Sequence, residues 1–291
     1  MSAPDQLLVV IDPVARRCDG ESVRIARDVL CGGAAAKVCL PDTPQEFARA
    51  LARRGARRPV VVGDDRALVR AVALLHRGGE LGGQALALVP VGPRETVCIG
   101  VSLGAPPGAV TAARAVLDGV ARRLDLLVDD GGGVVVGGVR VPEGPPSPEP
   151  PAAPGARLRP PAGGTPVPSA WGTYRSLVRT LVRPGAGRAP RTWRRLRVEA
   201  DGRLLADVDD PVEGVTVLAR GGVAEVVVRP RADAPRWSAA RAVTVSGPGG
   251  TGFRYRADAE PAGPVRSRTW TVRPAAWSLL VPAPALSPSG A

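Results

Sequence analysis

A strand that is apolar on both sides can sit only inside a sheet covered on both faces, and residues 59–75, PVVVGDDRALVRAVALL, begin with one. Val60, Val61 and Val62 run unbroken into the polar turn Gly63-Asp64-Asp65-Arg66, and a helical repeat follows from about Asp65 to Arg77. Strand, tight turn and helix in this order form half of a parallel βα unit. The turn between strand and helix is therefore the first candidate site.

The flanking segments repeat the alternation. Residues 6–11, QLLVVI, form a second continuous apolar run, ending in Asp12-Pro13. A polar turn is expected through Arg16, Arg17 and Gly20, then a helix carrying Val23, Ala26, Val29 and Leu30, then a short strand at residues 37–40. Thr43-Pro44-Gln45-Glu46 reads as a capping box, with a helix starting at Pro44 and failing at Gly55. Residues 85–91, ALALVPV, give a further buried strand, followed by an irregular turn through residues 92–96 and a loop ending at residues 103–107. Val110, Ala113, Val116, Leu117 and Val120 mark a helix, and residues 124–128 and 134–141 read as two strands joined at Gly131 to Gly133. Strands alternating with helices predict a mostly parallel sheet covered on both faces.

The composition changes abruptly after residue 141. Residues 142–168, PEGPPSPEPPAAPGARLRPPAGGTPVP, hold too much proline and glycine for a helix or inner strand and read as a linker or long loop. Beyond them Tyr174, Leu177, Val178, Leu181 and Val182 make an apolar stripe, with Arg175, Arg179 and Arg183 on the other side: a short basic amphipathic helix. From Trp193 the pattern is short apolar runs cut by Gly, Pro and Asp turns, which predicts an all-β sandwich. The fold class is thus α/β plus all-β: an α/β domain at 1–141, a linker at 142–168, and a β-sandwich domain at 169–291 opened by the basic helix.

Several chemistries are disfavoured. The four cysteines, Cys18, Cys31, Cys39 and Cys98, show no CxxC spacing, and His76 is the only histidine, so a disulfide framework, a zinc site and a Ser-His-Asp hydrolase are poor fits. No apolar run is long enough to cross a bilayer and the first residues lack the basic start of a signal peptide, so a cytoplasmic location is expected. The formal charge of +12 is local, since residues 157–197 hold ten arginines and no acid. Solvated arginines, attraction to an anionic lipid surface at the inner membrane face, and nucleic acid are the three readings of that segment. Nucleic acid ranks last, because only Trp171, Tyr174 and Trp193 interleave with the arginines.

The order of these pieces resembles the bacterial diacylglycerol kinase catalytic-domain family, related to sphingosine kinases and more distantly to NAD kinases. The family's first strand ends in Asn-Pro, matched by Asp12-Pro13; its GGDGT turn is matched by Gly63-Asp64-Asp65-Arg66-Ala67; its PLGTGND turn by Pro90-Val91-Gly92-Pro93-Arg94-Glu95-Thr96. Leu103-Gly104-Ala105-Pro106 echoes its LGIP segment and Leu124-Asp125-Leu126 its iDlg strand. Near the C-terminus Asp258-Ala259-Glu260 stands for its Asp-Gly-Glu, followed by Thr271-Val272-Arg273-Pro274. The resemblance covers nearly the whole chain outside the linker. It implies ATP and Mg²⁺ as cofactors, with nucleotide contacts at Asp12, Pro13, Gly63, Asp64, Asp65, Arg66, Gly92, Arg94 and Thr96. It further implies Asp65 as the metal-side acid, Asp258 as catalytic base with Glu260 beside it, and a diacylglycerol-type lipid at a membrane surface as substrate; on the charge reading of the basic helix, Arg175, Arg179 and Arg183 are the lipid contact.

Four positions depart from the glycine-rich pattern. Asp64, Arg66 and Arg94 replace glycines, and Pro93 supplies no N–H. A carboxylate a few ångströms from a phosphate repels it by roughly 4 kcal/mol at intermediate dielectric. Two readings follow: an ATP-dependent lipid kinase phosphorylating a diacylglycerol hydroxyl, or a catalytically silent member that keeps the fold as a lipid- or partner-binding module. The sequence leaves the oligomeric state open.

Overall fold

The computed structural model describes residues 6–143, 193–231 and 233–284, all within one compact unit. The basic helix with Arg175, Arg179 and Arg183, and the Pro/Gly-rich segment apart from Pro142 and Glu143, lie outside the described residues.

The first half alternates as expected: β1 (Gln6–Ile11), α1 (Pro13–Cys18), α2 (Gly20–Gly33), β2 (Ala35–Cys39), α3 (Pro44–Ala52), β3 (Arg58–Gly63), α4 (Asp65–Arg77), β4 (Ala87–Pro90), α5 (Cys98–Ser102) and α6 (Ala109–Asp118). Four strands make a parallel sheet in the order β2-β1-β3-β4. Both faces of β1 are used. Leu7, Val9 and Ile11 pack with Val23, Ala26, Leu30, Ala112 and Val116, while Leu8 and Val10 pack with Phe47, Leu51, Leu68 and Val72. The first half of the capping box is present, Thr43 Oγ1 accepting from Glu46 N at 3.2 Å, while the Glu46 carboxylate accepts from Asp42 N, one residue before the cap, at 2.8 Å. Two loops of the sequence reading are helices. Asp12 caps α1, so Arg16 and Arg17 lie on a helix, and residues 98–102 form α5.

The second half is antiparallel: β5 (Val120–Asp129), β6 (Val134–Val135), β7 (Val139–Val141), β8 (Arg197–Ala200), β9 (Arg203–Ala206), β10 (Val212–Arg220), β11 (Val223–Pro230), β12 (Arg236–Ala240), β13 (Ala242–Ser246), β14 (Phe253–Ala257), β15 (Glu260–Val265) and β16 (Ser267–Val281). They form two six-stranded sheets, β12-β11-β10-β7-β14-β15 and β6-β5-β16-β13-β8-β9. Val139, Val217, Val226 and Tyr255 from one sheet meet Leu127, Val198, Val245 and Trp270 from the other in a shared core. The opposite side of β5 and β16, with Leu126, Trp277 and Leu279, packs on the α4 side of the parallel sheet. The layout is therefore α/β followed by a β-sandwich.

The sheets do not divide at residue 141. β5, β6 and β7 belong to the antiparallel sheets, with β5 paired to β16 and β7 to β10 and β14. The reason is local: only residues 130–133 separate β5 from β6, a connection that makes a hairpin and is far too short for the crossover a parallel pair needs. Asp129 closes that turn, accepting from Gly131 N at 2.8 Å and Gly133 N at 2.7 Å.

Candidate functional site

In a parallel sheet the loops beyond the carboxyl ends of the strands present polar groups to ligands. At the end of β1, Asp12 is 2% exposed. One oxygen of its carboxylate accepts from Val14 N at 2.8 Å, and the other pairs with Arg70 at 3.0 Å. Pro13 occupies the first turn of α1, where a missing N–H does no harm. At the end of β3, Gly63 leaves no room for a side chain. A Cβ there would stand 2.8 Å from Ala67 Cβ and 3.0 Å from Asp12 Cβ, so glycine is what lets the two turns lie together.

Asp64 caps α4, accepting from Ala67 N at 3.0 Å. Asp65 behaves differently. It is 1% exposed, and its carboxylate crosses to α5, accepting from Ile99 N at 2.9 Å and Gly100 N at 2.8 Å, with the Cys98 thiol at 3.6 Å. Burial pushes the Asp65 carboxyl above the usual carboxylate range against those donors, and burial and the neighbouring Asp65 charge raise the Cys98 thiol. At the end of β4, Gly92 has φ 147°, and a Cβ on it would meet Thr96 Oγ1 at 2.8 Å and Asp64 Cβ at 3.8 Å. Thr96 donates to Pro93 O at 2.9 Å, and Arg94 opens an exposed 3-10 turn at Arg94–Thr96.

From the sandwich, the turn between β14 and β15 brings Asp258 to the same place. Its backbone is left-handed, φ 52°, and its carboxylate accepts from Val136 N at 2.9 Å, Gly137 N at 2.5 Å and Gly138 N at 2.9 Å. Asp258 is half-buried. Burial outweighs the three donors and pushes its carboxyl up to about 6, with the Asp65 charge adding in the same direction. Gly137 is the hinge of this arrangement. A Cβ on it would be 3.1 Å from Asp258 Oδ1 and 3.1 Å from Ile99 Cγ2, so it is wedged between one carboxylate and the residue whose N–H holds the other. Glu260 pairs with Arg66 of α4, Oε1 to Nε 2.7 Å.

The structure thus brings Gly63, Asp64, Asp65, Arg66, Gly92, Thr96, Asp258 and Glu260 together at the carboxyl ends of the parallel strands, where α/β sheets open their ligand cleft, with Asp12 and Pro13 tied in through Gly63. Gly137, Gly138, Cys98 and Arg70 belong to it as well. Only the paired glycines at 137–138, which hint at a close approach of backbone, mark any of these in the sequence. Two open hollows, of about 330 and 280 Å³, lie elsewhere and are lined by none of the expected site residues.

The donor set does not fit a Mg²⁺-triphosphate. Both oxygens of Asp65 are taken by backbone N–H groups, the α4 N-terminus carries its own carboxylate, and Pro93 removes a further donor. Among the described residues no group of three or more His, Cys, Asp or Glu side chains is placed to hold a metal.

A parallel α/β unit joined to an antiparallel sandwich is the fold this chain shares with solved structures named diacylglycerol kinases. No protein-family model matches the chain, and none of the curated proteins does. Solved structures do. A protein named "putative diacylglycerol kinase" from Bacillus anthracis str. Sterne is 13% identical with a TM-score of 0.67, over 99% of each chain. A second structure of that name and organism is 10% identical with a TM-score of 0.67, over 97% of this chain and 98% of the other. A third, named a diacylglycerol kinase from the same organism, is 10% identical with a TM-score of 0.66, over 99% and 100%.

Proposed function

We propose that this chain is a lipid kinase-fold protein that binds a lipid or a partner without transferring a phosphoryl group. The observation that carries the reading is the Asp64 carboxylate seated on Ala67 N at the α4 N-terminus, where the family's glycine turn would meet a phosphate. Arg66, which could offset that charge, is engaged by Glu260. The test is thermal unfolding of the full chain with ATP, ADP and Mg²⁺, together with an assay using labelled ATP, Mg²⁺ and diacylglycerol in mixed micelles. No nucleotide shift and no phosphatidic acid above an Asp258→Asn control are expected. A stabilisation near the ~2.7 kcal/mol that a ligand gives at 100 times its dissociation constant, accompanied by product, would overturn the proposal.

The second reading, an ATP-dependent kinase acting on the hydroxyl of a diacylglycerol-type lipid, has Asp258 in its favour. A half-buried carboxyl with a pKa of about 6 is suited to proton transfer near neutral pH. Both readings place the chain in the cytoplasm, at the inner face of a membrane when lipid is bound. Among the described residues no helix is long and apolar enough to cross a bilayer. Arg175, Arg179 and Arg183 are the proposed lipid contact, and reversing their charge should weaken co-sedimentation with anionic vesicles.

A further inference from the structure

Sheet β12-β11-β10-β7-β14-β15 turns one face to the shared core and the other away from it, and the outer face carries three arginines with no ion-pair partner among the described residues. Arg140 of β7 is directly opposite Arg256 of β14 on one side and Thr216 of β10 on the other. Directly opposed residues of an antiparallel pair share a face, and so do residues two apart along a strand. Arg229 of β11, opposite Gly214 and two residues from Val227, the partner of Thr216, therefore joins the same face.

All three arginines are half-buried. Among the described residues none is ion-paired. Arg256 donates through NH1 to Ala259 O at 3.0 Å, and its Nε is buried with no partner. Arg140 is pushed below the usual guanidinium range by burial and then by Arg229 and Arg256, with only Cys98 acting the other way. Like charges facing each other across strands destabilise a sheet, and a folded chain satisfies buried N–H donors. Arg140 and Arg256 break the first rule and Arg256 also breaks the second, with Arg229 adding a third positive charge at the same spot. Arg140 follows Gly138 by two residues and Arg256 precedes Asp258 by two, so that spot adjoins the cleft.

We propose that Arg140, Arg229 and Arg256, with the buried Thr216 hydroxyl, form a receptor for a phosphomonoester group. Two planar guanidinium forks on adjacent strands match the oxygens of a phosphate, which neutralises their mutual repulsion and satisfies the orphaned Nε. A neutral diacylglycerol supplies neither charge nor acceptors of that kind, so the ligand is a phosphorylated one. This inference rests on the reading of the cleft as a binding site and names what that site takes.

The experiment measures binding of the full chain, without nucleotide, to phosphatidylcholine vesicles containing phosphatidic acid, to vesicles of equal charge containing phosphatidylserine, and to soluble glycerol 3-phosphate. Phosphatidic acid or glycerol 3-phosphate is expected to bind, the first assigning a lipid headgroup and the second a soluble phosphate. Arg140→Gln and Arg256→Gln should each weaken that binding about tenfold, while the exposed Arg203→Gln should leave it unchanged. Melting curves check the fold, and Arg140→Gln should melt at or above the wild-type temperature because repulsion is relieved. Arg140→Lys, which keeps the charge but loses the fork, should also bind more weakly. Equal binding of the two anionic vesicles with no binding of glycerol 3-phosphate, binding untouched by the arginine variants, or no binding of any probe overturns the receptor. Phosphatidic acid made from labelled ATP would overturn the silent reading and leave the receptor standing.

Discussion

Asp258 is the residue on which the site's chemistry turns, and its setting makes a measurable claim. Its carboxyl rises from the ordinary 3.8 to about 6. The folded state therefore holds this proton more tightly than the unfolded chain does. The associated stability is complete below pH 3.8 and is lost as the pH climbs through about 6, a change of about 3 kcal/mol. Urea unfolding of the wild type between pH 3.5 and 7.5 should show that decline, with the raised Asp65 contributing in the same direction. Asp258→Asn should lack the Asp258 share of the pH dependence. It should also be less stable at low pH by about 1–3 kcal/mol, because an amide cannot accept all three backbone N–H bonds. Identical pH dependence in the two proteins would show that the carboxyl does not titrate in this window. The same residue shows what a sequence conveys and what it hides. An Asp-Ala-Glu at the right place in the order is readable, but its three donors come from residues 136–138, more than a hundred positions away.

At the scale of elements, α4 and α5 are joined by a single side chain. Asp65 supplies the partners of the first N–H groups of α5, a helix too short to be stable alone. Asp65→Ala should destabilise the protein by about 2–4 kcal/mol by leaving two donors unpaired, whereas Asp64→Ala, which removes an ordinary cap, should cost about 1 kcal/mol. Chemical denaturation of both variants checks the ranking, and an Asp65 variant as stable as the wild type would free that carboxylate for a role in the cleft. Elements defined by local rules are visible in the sequence. β1, β3 and α4 follow from apolar runs and spacing, and α3 from its capping box. α1 is missed because two arginines in a six-residue helix give no apolar repeat. In the sequence β16 reads as two short apolar runs, 268–273 and 277–282, parted at Pro274, yet the register shift between Arg273 and Trp277, with Ala275 at φ 47°, lets one strand carry both. The pairing of β5 with β16 rests on contacts far apart in the chain, which no local pattern encodes.

The whole molecule is built around β16. It pairs along its length with β5 and at its start with β13, and near its end Leu86 N donates to Ser278 O and Leu280 N to Leu86 O, both at 2.9 Å, stitching the parallel-sheet half to the sandwich. Trp270, early in the strand, is buried in the sandwich core, while Trp277 is buried among Leu8, Phe47 and Leu75 of the other half. Trp277 also donates through Nε1 to Asp125 O at 3.2 Å. One strand thus supplies an aromatic anchor to each of two cores, which couples them mechanically. The charges of Asp258 and Asp65 can act on each other only if that coupling holds the two halves in register. Trp277→Ala should remove about 3–5 kcal/mol, and the loss should be felt on both sides of the strand. Amide exchange followed in β3 and in β10 would then accelerate together, as expected of one cooperative unit. Acceleration in β3 with β10 unchanged would mean that the sandwich folds on its own, and that the cleft is an interface between independent parts.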